Sequence, residues 1–356
     1  MENKKLKFSY TPYILKFKEP GGTSRGILKE KLTYFLKVEE RDNPNRYGFG
    51  EIPVFPGLSK ESIYDLERVL NKLIQIEDLS ELPEIWDLSS LIFGLEQSIG
   101  NLRSRNGTLF PSPFTEGKRD ITINGLVWMG DFNKMRERVI EKLKSGYHCI
   151  KIKIAAINWE EELELIKFIR DAAGNDVIIR VDANGGFTPE ECLTKLEQLS
   201  RYNIHSVEQP IKPGNFDEMR LICNLSPIPV ALDEELIGIK PGEKRSEILS
   251  YLKPRYVILK PAFCYGFSGI LDWIERARQL EIGYWITSAL ESSVGLSAIA
   301  EFTGTLNPQI PQGLGTGNLF TNNFPSKLKL MGDKLIYDSE KQNYNKDLQN
   351  LEWKDE

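Results

Sequence analysis

Six charged side chains in the middle of the chain have the types and spacing to do proton chemistry together. Lys151 and Lys153 close the run Cys149–Lys153, Asp182 closes Ile178–Asp182, and Glu208 follows Ser206-Val207. Asp233 follows Val230-Ala231-Leu232, and Lys260 closes Tyr256–Lys260. The steps from Lys153 through Asp182, Glu208 and Asp233 to Lys260 are 29, 26, 25 and 27 residues. Each step fits one strand and its returning helix. Three carboxylates at neighbouring strand tips can supply oxygen ligands to a hard divalent cation such as Mg²⁺, with Mn²⁺ as the alternative. Two such lysines on opposite sides of that cation could reach both faces of one substrate carbon. A metal-assisted abstraction of a proton alpha to a carboxylate is the chemistry this order of groups predicts, because a cation takes up the charge that develops on the carboxylate oxygens.

The blander explanations weigh less. Asp and Glu fill 51 of 356 positions, so any one of these acids could be a surface residue. All three, however, end apolar β-branched runs at one period. Lys151 and Lys153 lie two apart, so on a strand they share a face, and lysine is rarely buried without a partner or a role. A lysine acts as a base only after losing its proton, which neighbouring positive charge favours. Mg²⁺, Lys151 and Lys260 are the groups that would do this to Lys153.

Such residues need a scaffold that presents strand tips on one side. The repeat predicts an α/β fold, a (β/α)8 TIM-type barrel over residues 116–325, whose active site would lie at the C-terminal ends of the strands. The barrel opens with Asp120–Val127, and Thr188-Pro189-Glu190-Glu191 reads as a capping box with Pro at the first helical position. An eighth strand is expected near 309–315. Before the barrel, residues 1–115 read as an α+β capping domain, with antiparallel strands up to about residue 60 and helices after it. Its glycine-rich segment at 20–26 is expected to be a mobile specificity loop, with a plain hairpin connection as the alternative. Residues 326–356 are expected to return to the cap and end in a polar tail.

Bulk properties narrow the partners. A formal net charge of −5 gives no general attraction to nucleic acid, and no apolar run approaches membrane-spanning length. Cys149, Cys192, Cys223 and Cys264 form no metal-binding pair, and with two histidines zinc is disfavoured. The expectation is a cytoplasmic enzyme acting on a small-molecule carboxylate, with its oligomeric state open. Gly313-Leu-Gly-Thr-Gly317 is too short and too late in the chain for a dinucleotide loop. His205 opens a strand at the end away from the tips and is read as structural.

These motifs resemble the enolase superfamily, and within it the o-succinylbenzoate synthases. Lys151-Ile-Lys153, Val181-Asp182-Ala183-Asn184, Val207-Glu208-Gln209-Pro210, Leu232-Asp233-Glu234 and Leu259-Lys260-Pro261 mark the superfamily. A lysine base with Mg²⁺ is its standard pattern. Ser288–Gly295, Gly313–Phe320 and Gly48–Gly57 resemble the synthases more narrowly, and the Asp-x-Asp motif of dipeptide epimerases is absent near strand eight. The resemblance implies that Lys153 removes the alpha proton and then protonates the departing hydroxyl. Lys260 would act as a cation from the opposite face. Asp182, Glu208 and Asp233 would hold Mg²⁺ against the developing enediolate. It places Lys151, Asn184, Arg25, Ser288, Glu291, Ser292 and Ser293 among the substrate contacts. The rival readings are an N-acylamino acid racemase or dipeptide epimerase with the same two lysines and, more remotely, a non-catalytic ligand-binding barrel.

Overall fold

The computed structural model describes residues 5–23, 26–104 and 107–355. The chain begins with a three-stranded antiparallel sheet, β1 (Leu6–Thr23), β2 (Gly26–Glu40) and β3 (Asn43–Pro53). Helices α1 (Ile63–Leu73) and α2 (Ser89–Arg103) pack on it. Period-two alternation gives this sheet two apolar faces. Phe8, Tyr34, Leu36, Val38 and Ile52 meet Leu66, Leu70, Leu91 and Leu95 of the helices in one core. Each such side chain, fully buried, contributes about 1.5–3 kcal/mol. The opposite face, carrying Phe35 and Phe49, meets Val294, Tyr344 and Leu348 from the rest of the chain. The glycine-rich segment is no loop in its described part: Gly21 pairs with Leu28, Gly22 with Ile27 and Thr23 with Gly26, so the hairpin ladder continues through it. Arg25 lies outside the described residues.

The second unit alternates strands and helices. In order come β4 (Ile121–Thr122), β5 (Gly125–Val127), α3 (Phe132–Lys144), β6 (Cys149–Lys153), α4 (Trp159–Ala173), β7 (Ile178–Asp182) and α5 (Pro189–Ser200). There follow β8 (Ile204–Glu208), α6 (Phe216–Leu225), β9 (Val230–Leu232), α7 (Glu243–Leu252), β10 (Tyr256–Leu259), α8 (Gly266–Gln279), β11 (Gly283–Ile286) and α9 (Ser293–Thr305). Strands β5 to β11 pair in parallel in chain order. The sheet closes through two parallel bridges, Thr287 with Gly313 and Ile123 with Gln312. The expected eighth strand is thus two residues long. Pro311 lacks an N–H and the glycines after it have weak strand preference, so a longer ladder is not supported there.

The first expected strand also divides. Ile121–Thr122 pairs antiparallel with β13 (Lys334–Tyr337), which pairs with β12 (Leu328–Met331), while Gly125–Val127 and the Ile123 bridge join the barrel. Helix α10 (Asn345–Gln349) then brings the chain back to the cap, where Lys354 bridges Tyr10 and Trp353 stacks on Phe49. Thr188 forms the expected capping box at the start of α5.

The barrel interior is not wholly apolar. Arg180 is buried with its guanidinium 4.0 Å from the Trp285 ring centroid, and it donates to the Pro311 carbonyl at 2.9 Å. Its Nε and Nη2 have no partner. His205 stacks on Tyr256 beside Trp285, and burial, reinforced by the Arg180 charge, pushes its pKa down to about 4. Among the described residues no helix is long and apolar enough to cross a membrane.

Candidate active site

Parallel register brings the charged strand tips to one level. Lys153 is opposite Asp182, Asp182 opposite Glu208, and Glu208 opposite Ala231, two residues before Asp233. Side chains two apart share a face, so Lys151 and Lys153 both point into the barrel mouth. The lysines Lys151, Lys153 and Lys260 keep 13%, 16% and 14% of their side-chain surface exposed, which lets each reach the cleft above. The carboxylates lie deeper. Asp182 and Asp233 sit below the cleft lining, whereas Glu208 reaches it.

The six groups form two hydrogen-bonded sets that interact electrostatically. The Lys151 ammonium bridges Asp182 Oδ2 at 2.7 Å and Glu208 Oε2 at 2.6 Å. Lys153 donates to Asp182 Oδ2 and to Asn184 Oδ1, both at 2.6 Å. Lys260 donates to Asp233. Asn184 holds a left-handed backbone (φ 45°) and donates from Nδ2 to Glu234 Oε1 at 2.9 Å. Burial is the largest influence on Lys151 and opposes its charge, but Asp182 and Glu208 together outweigh it and hold the ammonium above the usual lysine range. Lys260 is raised in the same way by Asp233 and Glu234 against burial. Burial, then the Asp182 charge, lifts Glu208 well above the usual carboxylate range. Asp182 goes the other way: burial resists, but Lys151 and Lys153 hold it ionised.

This donor set suits a hard divalent cation. Three oxygen-donor side chains stand at the tips of consecutive strands, and burial, followed by the Asp182 charge, makes Glu208 resist ionisation there. Burial and the Asp233 charge raise Glu234 too, and its Oε2 is buried without a partner. As they stand, no three acidic, histidine or cysteine side chains among the described residues converge closely enough to grip a metal. The lysine ammoniums sit between the carboxylates and supply the positive charge instead. Asp182, Glu208 and Asp233 carry the oxygen atoms that could hold such a cation.

The cleft above the network has an apolar roof and polar walls. Phe55 and Leu58 from the cap face Trp128, Leu126 and Phe263 of the barrel. Thr287, Ser288, Ala289, Leu290, Gly313, Gly315 and Thr316 complete the wall opposite Lys153. Ser288 lines the cleft, its hydroxyl 2.7 Å from that of Thr316.

Three expected substrate contacts do not reach the cleft. Glu291 is fully buried and accepts the Ala289 N–H at 2.7 Å, while Ser292 caps α9 by accepting the Val294 N–H. Ser293 is the first residue of that helix, and its N–H donates to Asn323. Beyond Leu290, whose φ of 59° turns the chain, the segment runs into the cap interface and not along the cleft.

Several contributors were not singled out. Gln209 is buried with a left-handed backbone, and its Oε1 accepts N–H groups from Asp233 and Glu235. It ties the tip of β8 to the tip of β9. Its position beside Glu208, and that of Glu234 beside Asp233, was the available signal. Thr287 and Trp128 carried none, since threonine and tryptophan at these places are ordinary core and loop residues, whereas Phe55 and Thr316 lie inside the Gly48–Gly57 and Gly313–Phe320 segments.

The sequence signature described as Enolase C-terminal domain-like matches residues 134–321. The o-succinylbenzoate synthase of Desulfotalea psychrophila is 39% identical, over 93% of this chain and 98% of that protein. The crystal structure of MenC from Desulfotalea psychrophila LSv54 matches with a TM-score of 0.77 at 36% identity, covering 93% of this chain and 99% of that one. A dipeptide epimerase from Enterococcus faecalis V583, solved with Mg and the dipeptide L-Leu-L-Tyr, shares the fold with a TM-score of 0.82 at 18% identity, covering 96% and 98% of the two chains.

Proposed function

The chain belongs to the o-succinylbenzoate synthase family of the enolase superfamily, and from that premise we propose that it dehydrates 2-succinyl-6-hydroxy-2,4-cyclohexadiene-1-carboxylate to 2-succinylbenzoate, a step of menaquinone biosynthesis, in the cytoplasm. The observation that carries the reading is the single cleft lined by both Lys153 and Lys260 above Asp182, Glu208 and Asp233. Asp182, Glu208 and Asp233 would hold Mg²⁺, which when bound would supply positive charge against the developing enediolate.

The chain's own residues do the rest. Lys153 takes the alpha proton, and Asn184 and Asp182 fix the position of its amine through hydrogen bonds. The same nitrogen, now protonated, gives its proton to the hydroxyl leaving from that face, so elimination is syn. Lys260, tied to Asp233 across the mouth, stays a cation on the other face and opposes the developing negative charge. Phe55, Leu58, Trp128 and Phe263 exclude water and present flat apolar surface to the ring. The paired hydroxyls of Ser288 and Thr316 leave one donor for the succinyl arm.

The two-lysine arrangement also fits a racemase or epimerase, in which both lysines act as bases on opposite faces. Against a dipeptide substrate, the wall at Gly313–Gly317 offers no carboxylate for an ammonium. The test is an ultraviolet assay of the cyclohexadiene substrate becoming aromatic. Turnover that requires Mg²⁺ and stops with chelator is expected. Folded, metal-bound protein with no turnover would discard the synthase reading. Solvent deuterium entering both enantiomers of an N-acylamino acid would then support the racemase.

A further inference from the structure

A second buried charge cluster joins the cap to the barrel and takes no part in the mechanism. Lys31 of β2 and Glu51 of β3 lie on the sheet face turned towards the barrel, and Glu291 precedes α9. All three are buried, Lys31 with 5% exposure and the glutamates with none. Glu51 acts as a cap supplied from outside the helix. It accepts both the N–H and the hydroxyl of Ser292, the N–H of Gly295 and the hydroxyl of Thr33. A carboxylate there is favoured by the unpaired amides and the dipole at the start of α9.

The two glutamates are close neighbours. A Cβ placed on Gly295 would meet Glu291 Cβ and Cγ at 2.9 Å and Glu51 Oε2 at 3.0 Å, so a glycine is needed for this approach. Glu291 Oε2 accepts the Ala289 N–H, but its Oε1 has no partner, and neither has the Lys31 Nζ. Lys31 thus keeps a buried donor and Glu291 a buried acceptor without a hydrogen-bond partner, and the two side chains interact electrostatically. Two buried acids side by side repel unless a cation offsets them, and Lys31 is the positive charge acting on Glu291.

The cluster reaches the cleft through one short loop. Ser288, Ala289 and Leu290 line the cleft, and Leu290 holds the left-handed conformation. A leucine stays there only where its surroundings fix it. Glu291 grips Ala289 on one side of Leu290, and Glu51 grips Ser292 on the other.

We propose that Lys31, Glu51 and Glu291 are positioning residues, a buried triad through which the cap sheet sets the shape of the 288–290 loop that contacts substrate. Lys31 keeps the two glutamates together, and the glutamates hold the loop in its strained form. The kinetic part rests on the dehydratase reading.

The test compares Lys31→Met, Glu291→Gln and the double variant by kcat, KM, melting temperature and hydrogen exchange of the 287–292 amides. Lys31→Met is expected to raise KM about tenfold, as coupled neighbours do, with kcat within about threefold of the parent. The double variant, which removes both opposed charges, is expected to recover most of that loss. Loop amides should exchange faster in Lys31→Met and slow again in the double variant. A melting temperature that drops while KM and loop exchange stay at parental values would reduce the triad to a structural brace and overturn the proposal. If Lys31→Met does not fold, Glu291→Gln decides: raised KM and faster loop exchange support the triad, and unchanged values overturn it. Exchange needs no turnover, so failure of the dehydratase reading would leave this outcome readable.

Discussion

Lysine and carboxylate are buried together in two places, and the two places use them in opposite ways. At the barrel mouth every ammonium touches a carboxylate at hydrogen-bond distance, and Lys151 and Lys260 are held above the usual lysine range. At the cap interface Lys31 has no hydrogen-bond partner, and burial, only partly opposed by Glu51 and Glu291, pushes its pKa down. The carboxylates there turn to backbone N–H groups instead. Burial alone therefore does not decide what a charged group becomes. The mouth keeps its carboxylates free of backbone duty, apart from one N–H from Asn184 to Asp182, as the proposed exchange of ammonium for cation requires. The interface commits Glu51 to helix and loop amides, so it can hold a shape but not exchange a ligand.

The contrast breaks most easily at Lys153. Lys153→Ala is expected to lower turnover by about 10³-fold, within the usual range for losing a general base. Its melting temperature should hardly move, because Lys151 still pairs with Asp182. A variant with near-parental turnover and intact Mg²⁺ binding would remove Lys153 from the base role and with it the idea that the mouth alone carries chemistry.

Divalent cation sharpens the comparison next. Saturating Mg²⁺ should stabilise the folded protein, by about 2.7 kcal/mol at a hundredfold excess over the dissociation constant. The gain should be the same in Lys31→Met and absent in Asp182→Asn, read as the shift in melting temperature with and without chelator. Equal loss in both variants would mean that the two clusters are not separable.

The smallest effect is a slope. Burial, followed by the opposing influence of Lys31 and the added repulsion of Glu51, raises Glu291 to about 7 from its ordinary 4.5. Between those values the native state binds more protons than the unfolded chain, so stability falls as pH rises through the window. A single group gives at most about 1.4 kcal/mol per pH unit. Denaturant titrations at several pH values should show this fall in the parent and a flatter line in Glu291→Gln. Identical slopes would place the proton elsewhere.

How much of this was legible follows from what sequence patterns encode. Five of the six mouth residues could be read because each follows or ends an apolar strand at the repeat of a βα unit, and Lys151 because it lies two residues before Lys153 on the same face. The capping box at Thr188 was equally plain, since it is a local hydrogen-bond motif. The eighth strand was only roughly placed, because two bridges through Gln312 and Gly313 leave no hydrophobic period to see. Arg180 hid inside the apolar run of β7: nothing local says that its partner would be the face of Trp285. Glu291, Ser292 and Ser293 looked like substrate contacts because they adjoin Ser288. The reversal at Leu290 that turns them into the cap depends on Glu51, 240 residues earlier than Glu291 in the chain.

The strand bridge between Tyr10 and Lys354 carries a consequence for synthesis. Tyr10 and Lys354 exchange two backbone hydrogen bonds, and Trp353, Tyr344 and Leu348 cover Phe35 and Phe49 on the barrel-facing side of the cap sheet. A ribosome makes Tyr10 long before Lys354, and at 5–20 residues per second the interval is roughly 17–70 s. Until then the hairpin's aromatic face, met in part by Val294 and Phe324, and its edge, bridged in part by Phe320, stay incompletely covered in the crowded cell. Its safe passage depends on how quickly translation reaches residues 344–354, so slow codons upstream of that segment would be expected to lower yield without altering a single amino acid.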